Sequence, residues 1–107
     1  METIDNLLQS KKRVLITGGA GFIGGALIRK LLKSSNYIIF NLDKISYASN
    51  LTSIKRTLKD LGSKSEERYF FFKNDLIDFS STEDCVRKSN PDIIFNFAAE
   101  SHVDRSI

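Results

Sequence analysis

Residues 13–24 read RVLITGGAGFIG: an apolar run, Val14 to Ile16, enters a cluster of four glycines, Gly18, Gly19, Gly21 and Gly24. Beyond them Phe22, Ile23, Ala26, Leu27, Leu31 and Leu32 recur at offsets of three and four, the spacing of one helix face. A strand, a tight turn and a helix start in that order are the context a dinucleotide fingerprint requires. Two spacings overlap, Gly19-x-Gly21-x-x-Gly24 and Gly18-x-x-Gly21-x-x-Gly24, and the physical demand is the same for both. An early glycine takes a backbone conformation closed to residues with a Cβ. Gly21 lets the backbone approach a diphosphate, and Gly24 lets the first helix sit close on the sheet. Amides near Phe22 and Ile23 then face the phosphates at the positive end of the helix dipole.

The rest of the chain alternates in the same manner. Strands are expected at Arg13–Thr17, Tyr37–Leu42, Arg68–Lys73 and Asp92–Ala98. Helices are expected over Gly21–Lys33, Leu51–Leu61 and about Ser80 to Lys88. Tyr37–Leu42 is apolar except for Asn41, which suits a strand buried on both faces of a parallel sheet. Gly62 is a natural stop for the second helix. Ser80 or Ser81 can cap the third, Ser81 with Asp84 having an acidic capping-box spacing, and Asn90-Pro91 ends it. Residues 44–50 and 74–78 read as loops, and residues 1–12 as a short flexible leader. This order predicts an α/β fold, a Rossmann-type doubly wound parallel sheet with strand order 3-2-1-4 and helices on both faces. The fourth strand is then an apolar edge, an aggregation hazard. Residues 13–107 are therefore expected to be the N-terminal part of a longer nucleotide-binding domain, or to be covered by a partner on that side.

With 107 residues, 41% of them hydrophobic, the chain suits one domain with one modest core. The net charge of +3 is too small and scattered to argue for nucleic acid, and Lys55, Arg56 and Lys59 read as a solvated helix face. One cysteine, Cys85, excludes an intrachain disulfide and fits a reducing cytoplasm. It reads as a half-buried helix residue rather than a nucleophile. Nothing approaches the roughly 18 consecutive apolar residues of a membrane span.

Asp43 lies nineteen residues beyond Gly24, at the end of the second strand. A carboxylate there accepts from the adenosine ribose hydroxyls and repels a 2′-phosphate, favouring NAD over NADP; the adjacent Lys44 could tolerate that phosphate. The plainer role of Asp43 is a strand-end turn former. Asp75 could accept from the adenine amino group while Leu76 packs on the ring, or Asp75 could simply form an Asx turn.

The run from Pro91 to Ile107, PDIIFNFAAESHVDRSI, is far more specific. It closely resembles the nucleotide-sugar 4,6-dehydratases of the extended short-chain dehydrogenase family, above all the branch acting on dTDP-sugars. NLDKISYASN at 41–50 is similar to that branch's loop after the second strand, and 13–24 and 74–78 agree with it. UDP-galactose epimerases share the glycine turn but diverge after Ala99. GDP-mannose dehydratases come closer there but favour NADP, which Asp43 opposes. The chain departs from the pattern mildly, with Gly25 where serine is frequent and Ser49 where glycine is frequent.

The resemblance implies that Gly18, Gly21, Phe22, Ile23 and Gly24 hold the diphosphate of NAD. It places Asp43, Lys44, Ile45 and Ser46 along the adenosine ribose and Asp75 with Leu76 at the adenine. Phe97, Ala98, Ala99 and Glu100 would run beneath the cofactor's middle and nicotinamide half, and Ser101 would reach a nucleotide-sugar substrate. His102 reads as a hydrogen-bonded loop residue, and Glu100 and Asp104 as positioning groups. No residue is assigned to a metal. A homodimer is implied for the parent protein.

The family's chemistry needs a Tyr-x-x-x-Lys pair on a helix, where i,i+4 spacing stacks the lysine beneath the tyrosine and its charge lowers the phenol's pKa. The one match, Tyr69 to Lys73, falls on a predicted strand, with the two residues about 13 Å apart along it. No catalytic residue is therefore expected within these 107 residues. The rivals are another NAD-dependent nucleotide-sugar epimerase or dehydratase, and a non-catalytic NAD-binding module.

Overall fold

The computed structural model describes residues 12–44 and 49–97. Four parallel strands, β1 (Arg13–Thr17), β2 (Ile38–Asp43), β3 (Tyr69–Lys73) and β4 (Ile93–Asn96), lie in the order β3-β2-β1-β4. The helices are α1 (Phe22–Ser34), α2 (Ser49–Leu61), α3 (Ser63–Glu66) and α4 (Phe79–Ser89). This is the doubly wound half-sheet that the alternation of periodicities requires.

Register assigns the faces. Val14 and Ile16 of β1 and Ile39 of β2 pack with Ile28 and Leu32 of α1 and with Leu51, Ile54 and Leu58 of α2. Leu15, Phe40 and Leu42 point the other way and meet Cys85 and Val86 of α4. Successive strand residues alternate faces, so both faces of the central strands are buried. The second face is thinly covered. Leu15, Phe40, Phe70 and Ile94 form one row across the sheet, and its ends, Phe70 and Ile94, are exposed. Among the described residues β4 pairs only with β1, and Phe95 is also exposed, as an open edge predicts.

Arginines tie the amino-terminal side together. Arg13 donates from Nε to the Ser89 carbonyl (2.6 Å) and from Nη2 to that of Lys88 (3.3 Å), and its guanidinium lies 5.0 Å from the Phe40 ring centre. A cation is thus set on the C-terminal carbonyls of α4, where the helix dipole favours it. Its backbone amide donates to Asp92 Oδ2 (2.9 Å). Arg68 does the equivalent for α1, donating to the carbonyls of Leu32 (3.0 Å) and Tyr37 (2.7 Å).

Two local expectations are corrected, the cap of α4 and the start of α2, and one, Gly62, is extended. The cap of α4 is Asp78, not Ser80 or Ser81: its Oδ1 accepts from the Ser81 amide (3.2 Å) and its Oδ2 from the Ser81 hydroxyl (3.0 Å). Asp84, the would-be capping-box acid, instead pairs with Arg87 at 2.8 Å. Gly62 does end α2, but at φ +104° it also starts the single helical turn α3. Finally, α2 begins at Ser49, inside the stretch 44–50 expected as loop. Asn90 ends α4 as expected, in the left-handed conformation (φ 42°) that the helix C-terminus uses.

Candidate functional site

The four strands end side by side, and backbone hydrogen bonds carry the ladder one step past them. Gly18 N–H donates to the Leu42 carbonyl (2.8 Å), Asn74 N–H to that of Asp43 (2.9 Å) and Phe97 N–H to that of Thr17 (2.8 Å). The Thr17 hydroxyl also donates to Asn96 Oδ1. The glycine turn, Asp43, the 74–78 loop and Phe97 are therefore brought to one carboxyl edge, where open α/β sheets bind ligands.

Within the turn the glycines divide their work. Gly18 has φ +82°, so it is the early glycine that must lack a Cβ. A Cβ on Gly24 would sit 2.4 Å from the Gly18 carbonyl oxygen and 2.9 Å from Gly19 Cα. Its close approach is thus to the turn itself rather than to the sheet. A Cβ on Gly19 would lie 2.0 Å from Asn41 Oδ1 and 2.6 Å from Ile28 Cδ1. Gly21 differs: among the described residues its Cβ would meet only the Gly18 oxygen, at 3.3 Å. That contact is tight but mild beside those at Gly19 and Gly24, the Gly18 carbonyl having to give by only a few tenths of an ångström.

Gly21 is also the N-cap of α1. It offers no side-chain acceptor, and no acidic residue lies in the first turn. Gly25 N–H reaches the Gly21 carbonyl (2.9 Å), but among the described residues the amides of Phe22 and Ile23 have no acceptor. Both side chains project into solvent, Phe22 79% and Ile23 52% exposed. Unpaired amides at a dipole's positive end, beside a glycine with open space in front, suit an anion.

Asp43 closes the other side. Its Oδ2 accepts from the Ala20 amide (2.9 Å), so the carboxylate is fastened to the glycine turn. Lys44 follows it, and with Lys73, Asn74 and Asp75 lines an open cleft of about 500 Å³. Asp75 does make the Asx turn: Oδ1 accepts from Ile77 N–H (3.2 Å). Leu76 is half-buried against Leu15, Phe40 and Leu42. Phe97 packs on the α1 and α2 side and stacks with Phe95 at 6.3 Å. Ile45, Ser46, Ala98, Ala99, Glu100, Ser101, His102 and Asp104 lie outside the described residues.

Tyr69 and Lys73 lie on β3, so the Tyr-x-x-x-Lys match is not helical. Burial pushes the Tyr69 phenol above its ordinary value, opposite to what a proton-abstracting tyrosine needs, although Asn41, whose Nδ2 donates to the phenol oxygen (3.0 Å), pulls it back. Sequence reasoning did not assign Asn41 to the site. Its signal was visible: one polar residue in an otherwise apolar strand. Lys73 and Asn74, also not assigned, come to the cleft through the register of β3.

Residues 15–107 match the family described as GDP-mannose 4,6 dehydratase. Among curated relatives, dTDP-glucose 4,6-dehydratase of Haemophilus influenzae is 40% identical over 94 residues, covering 88% of this chain and 26% of the relative. The dTDP-glucose 4,6-dehydratase of Salmonella typhimurium is 42% identical over 95 residues, covering 89% and 25%. The chain thus spans about a quarter of the length of these relatives. Among solved structures, UDP-N-acetylglucosamine 4-epimerase from Methanobrevibacter ruminantium M1, in complex with UDP-N-acetylmuramic acid, superposes with a TM-score of 0.55 at 24% identity. That match covers 81% of this chain and 24% of the epimerase, a likeness of fold. UDP-glucuronic acid 4-epimerase from Bacillus cereus, in complex with NAD, gives 0.51 at 27% identity, covering 78% and 25%.

Proposed function

This chain belongs to the GDP-mannose 4,6 dehydratase family, and from that membership we propose that it is the NAD-binding portion of a dTDP-glucose 4,6-dehydratase. The observation that carries the reading is the open face of Gly21, set against the uncapped start of α1. The donors are amides, no side chain of the described residues comes within 4 Å of where a Gly21 Cβ would lie, and a carboxylate stands at the neighbouring strand end; these fit a dinucleotide. The curated relatives favour dTDP-glucose over GDP-mannose as the substrate.

In this reading Phe22 and Ile23 amides bind the diphosphate, and Gly18, Gly21 and Gly24 shape the turn that presents them. Asp43, Lys44, Ile45 and Ser46 hold the adenosine ribose. Asp75 keeps Oδ1 on its own backbone and offers Oδ2 to the adenine amino group, with Leu76 beside it. Phe97, Ala98, Ala99 and Glu100 support the nicotinamide half, and Ser101 touches the nucleotide sugar. NAD held by these residues would supply a reversible hydride acceptor for the dehydration of the nucleotide sugar. The product is dTDP-4-keto-6-deoxyglucose. Proton transfer falls to groups outside these 107 residues. The parent protein would be a cytoplasmic homodimer; among the described residues no helix is long and apolar enough to cross a membrane.

Calorimetric titration with NAD tests the reading. The chain is expected to bind weakly, and Gly21→Leu to abolish binding while its circular dichroism is unchanged. Purified residues 1–107 are expected not to turn over dTDP-glucose. Indifference of a folded chain to NAD would overturn the cofactor assignment, and turnover by these residues alone would overturn the placement of catalysis elsewhere.

A further inference from the structure

Beneath and within the glycine turn lie two polar groups that, among the described residues, lack partners. Asn41 is fully buried, yet its Oδ1 has no hydrogen-bond donor among the described residues. That oxygen stands over Gly19, where a Cβ would lie 2.0 Å away. In the turn, Gly18 N–H, Ala20 N–H and Gly21 N–H have acceptors in Leu42, Asp43 and Gly18. Gly19 N–H, among the described residues, has none. A buried acceptor without a donor costs about 1–3 kcal/mol, and native structures rarely leave one without a reason. The other end of the carboxamide is fixed, because Nδ2 donates to the Tyr69 hydroxyl on β3.

We propose that Asn41 is a positioning residue of the phosphate cradle: anchored by Tyr69, its Oδ1 accepts the Gly19 amide when a diphosphate draws the turn closed. Resting on the NAD reading above, this makes Asn41 act through the turn and not on the cofactor. It gives Gly19 a reason to lack a side chain, since any Cβ would displace the carboxamide. It also gives a polar residue a reason to sit in an inner strand of an apolar sheet. The Tyr69 to Asn41 to Gly19 connection ties β3, which leads to the adenine end of the edge, to the turn that meets the phosphates.

The test separates positioning from packing. Asn41→Leu with Tyr69→Phe removes both polar partners while keeping their volumes, a replacement that is near neutral for stability. Binding of NAD and of adenosine, which has no phosphate, is followed by NMR titration in the full chain, with the thermal midpoint measured alongside. The double variant is expected to keep its midpoint and its adenosine affinity and to bind NAD about 3- to 10-fold more weakly, the worth of one hydrogen bond. In the unaltered chain, NAD is expected to slow solvent exchange of the Gly19 amide. Unchanged NAD affinity in the double variant overturns the proposal, as does a parallel loss of adenosine binding. Should the double variant not fold, Tyr69→Phe alone and the Gly19 exchange measurement decide the matter. Failure of the unaltered chain to bind NAD would instead overturn the cofactor reading on which the proposal rests.

Discussion

Gly24→Ala places a methyl against backbone that has nowhere to go. The new Cβ lies 2.4 Å from the Gly18 oxygen, about 1 Å inside ordinary contact, with Gly19 Cα at 2.9 Å and Gly18 C at 3.0 Å. None of these is a flexible side-chain end. Moving the Gly18 carbonyl away also strains its bond from Gly21 N–H, now 3.0 Å. Overpacking of this kind costs up to ~3 kcal/mol, and the weakened hydrogen bond adds ~1 kcal/mol. Alanine's better helix propensity returns ~1 kcal/mol. The expected net loss is about 3 kcal/mol, which for a domain of this size lowers Tm by roughly 12–24 °C. Gly21→Ala is the internal control. Its φ of −77° and ψ of 174° suit alanine, and its methyl meets one atom at 3.3 Å. It should cost about 1 kcal/mol or less, from the poorer cap. Thermal melts followed by far-ultraviolet circular dichroism decide the point. If Gly24→Ala melts within about 2 °C of the unaltered chain, or no lower than Gly21→Ala, the division of labour among the glycines is wrong.

Burial raises the Tyr69 phenol above its ordinary value of 10.0. The native state therefore keeps a proton that the unfolded state gives up, so Tyr69 contributes stability below pH 10 that is lost as pH climbs through its native pKa. Urea midpoints measured across that window should fall more steeply for the unaltered chain than for Tyr69→Phe; equal slopes would show that the phenol is not held neutral by the fold. Arg13→Met removes two hydrogen bonds onto the end of α4 and the contact with Phe40, and should cost about 2 kcal/mol. A lower urea midpoint with an unchanged m-value is the expected signature, and an unchanged midpoint would remove Arg13 from the account of how α4 is fastened.

What could be read from the sequence was whatever rests on periodicity. Val14 to Ile16, Ile38 to Leu42 and Phe70 to Phe72 declare strands because parallel strands are apolar on both faces, and the three- and four-residue offsets in 22–32 and 51–61 declare the helices over them. What could not be read rests on which of several eligible groups wins. Asp78, Ser80 and Ser81 are all competent caps. The turn from Asp75, closed by Asp78 N–H to the Asp75 carbonyl (2.9 Å), sets the helix start and so selects Asp78. The turn α3, SKSE, has no apolar pattern to announce it. Asn41 showed as the exception in its strand, yet its meaning depends on Gly19 and Tyr69, which are distant in sequence. At the site, the glycine spacing could be read directly, while the cleft residues Lys73 and Asn74 needed the register of β3 to reach the edge.

Asp43 illustrates why the choice of probe matters at such an edge. A carboxylate at the end of the second strand is the obvious residue to mutate when asking about the ribose. Here it also receives the Ala20 amide at 2.9 Å, so it builds the turn whose ligand is in question. Replacing it would loosen the turn and remove a ribose acceptor together, and a lost affinity would not tell the two apart. Gly24 and Gly19 fail for the same reason, since both are packed from within. Gly21 escapes because almost nothing inside the protein uses the space in front of it. A side chain added there asks the Gly18 carbonyl to give by a few tenths of an ångström and otherwise matters chiefly to something arriving from outside. Any fall in NAD affinity at Gly21 is therefore an effect on the ligand's own space, which makes that position the decisive one for this family member.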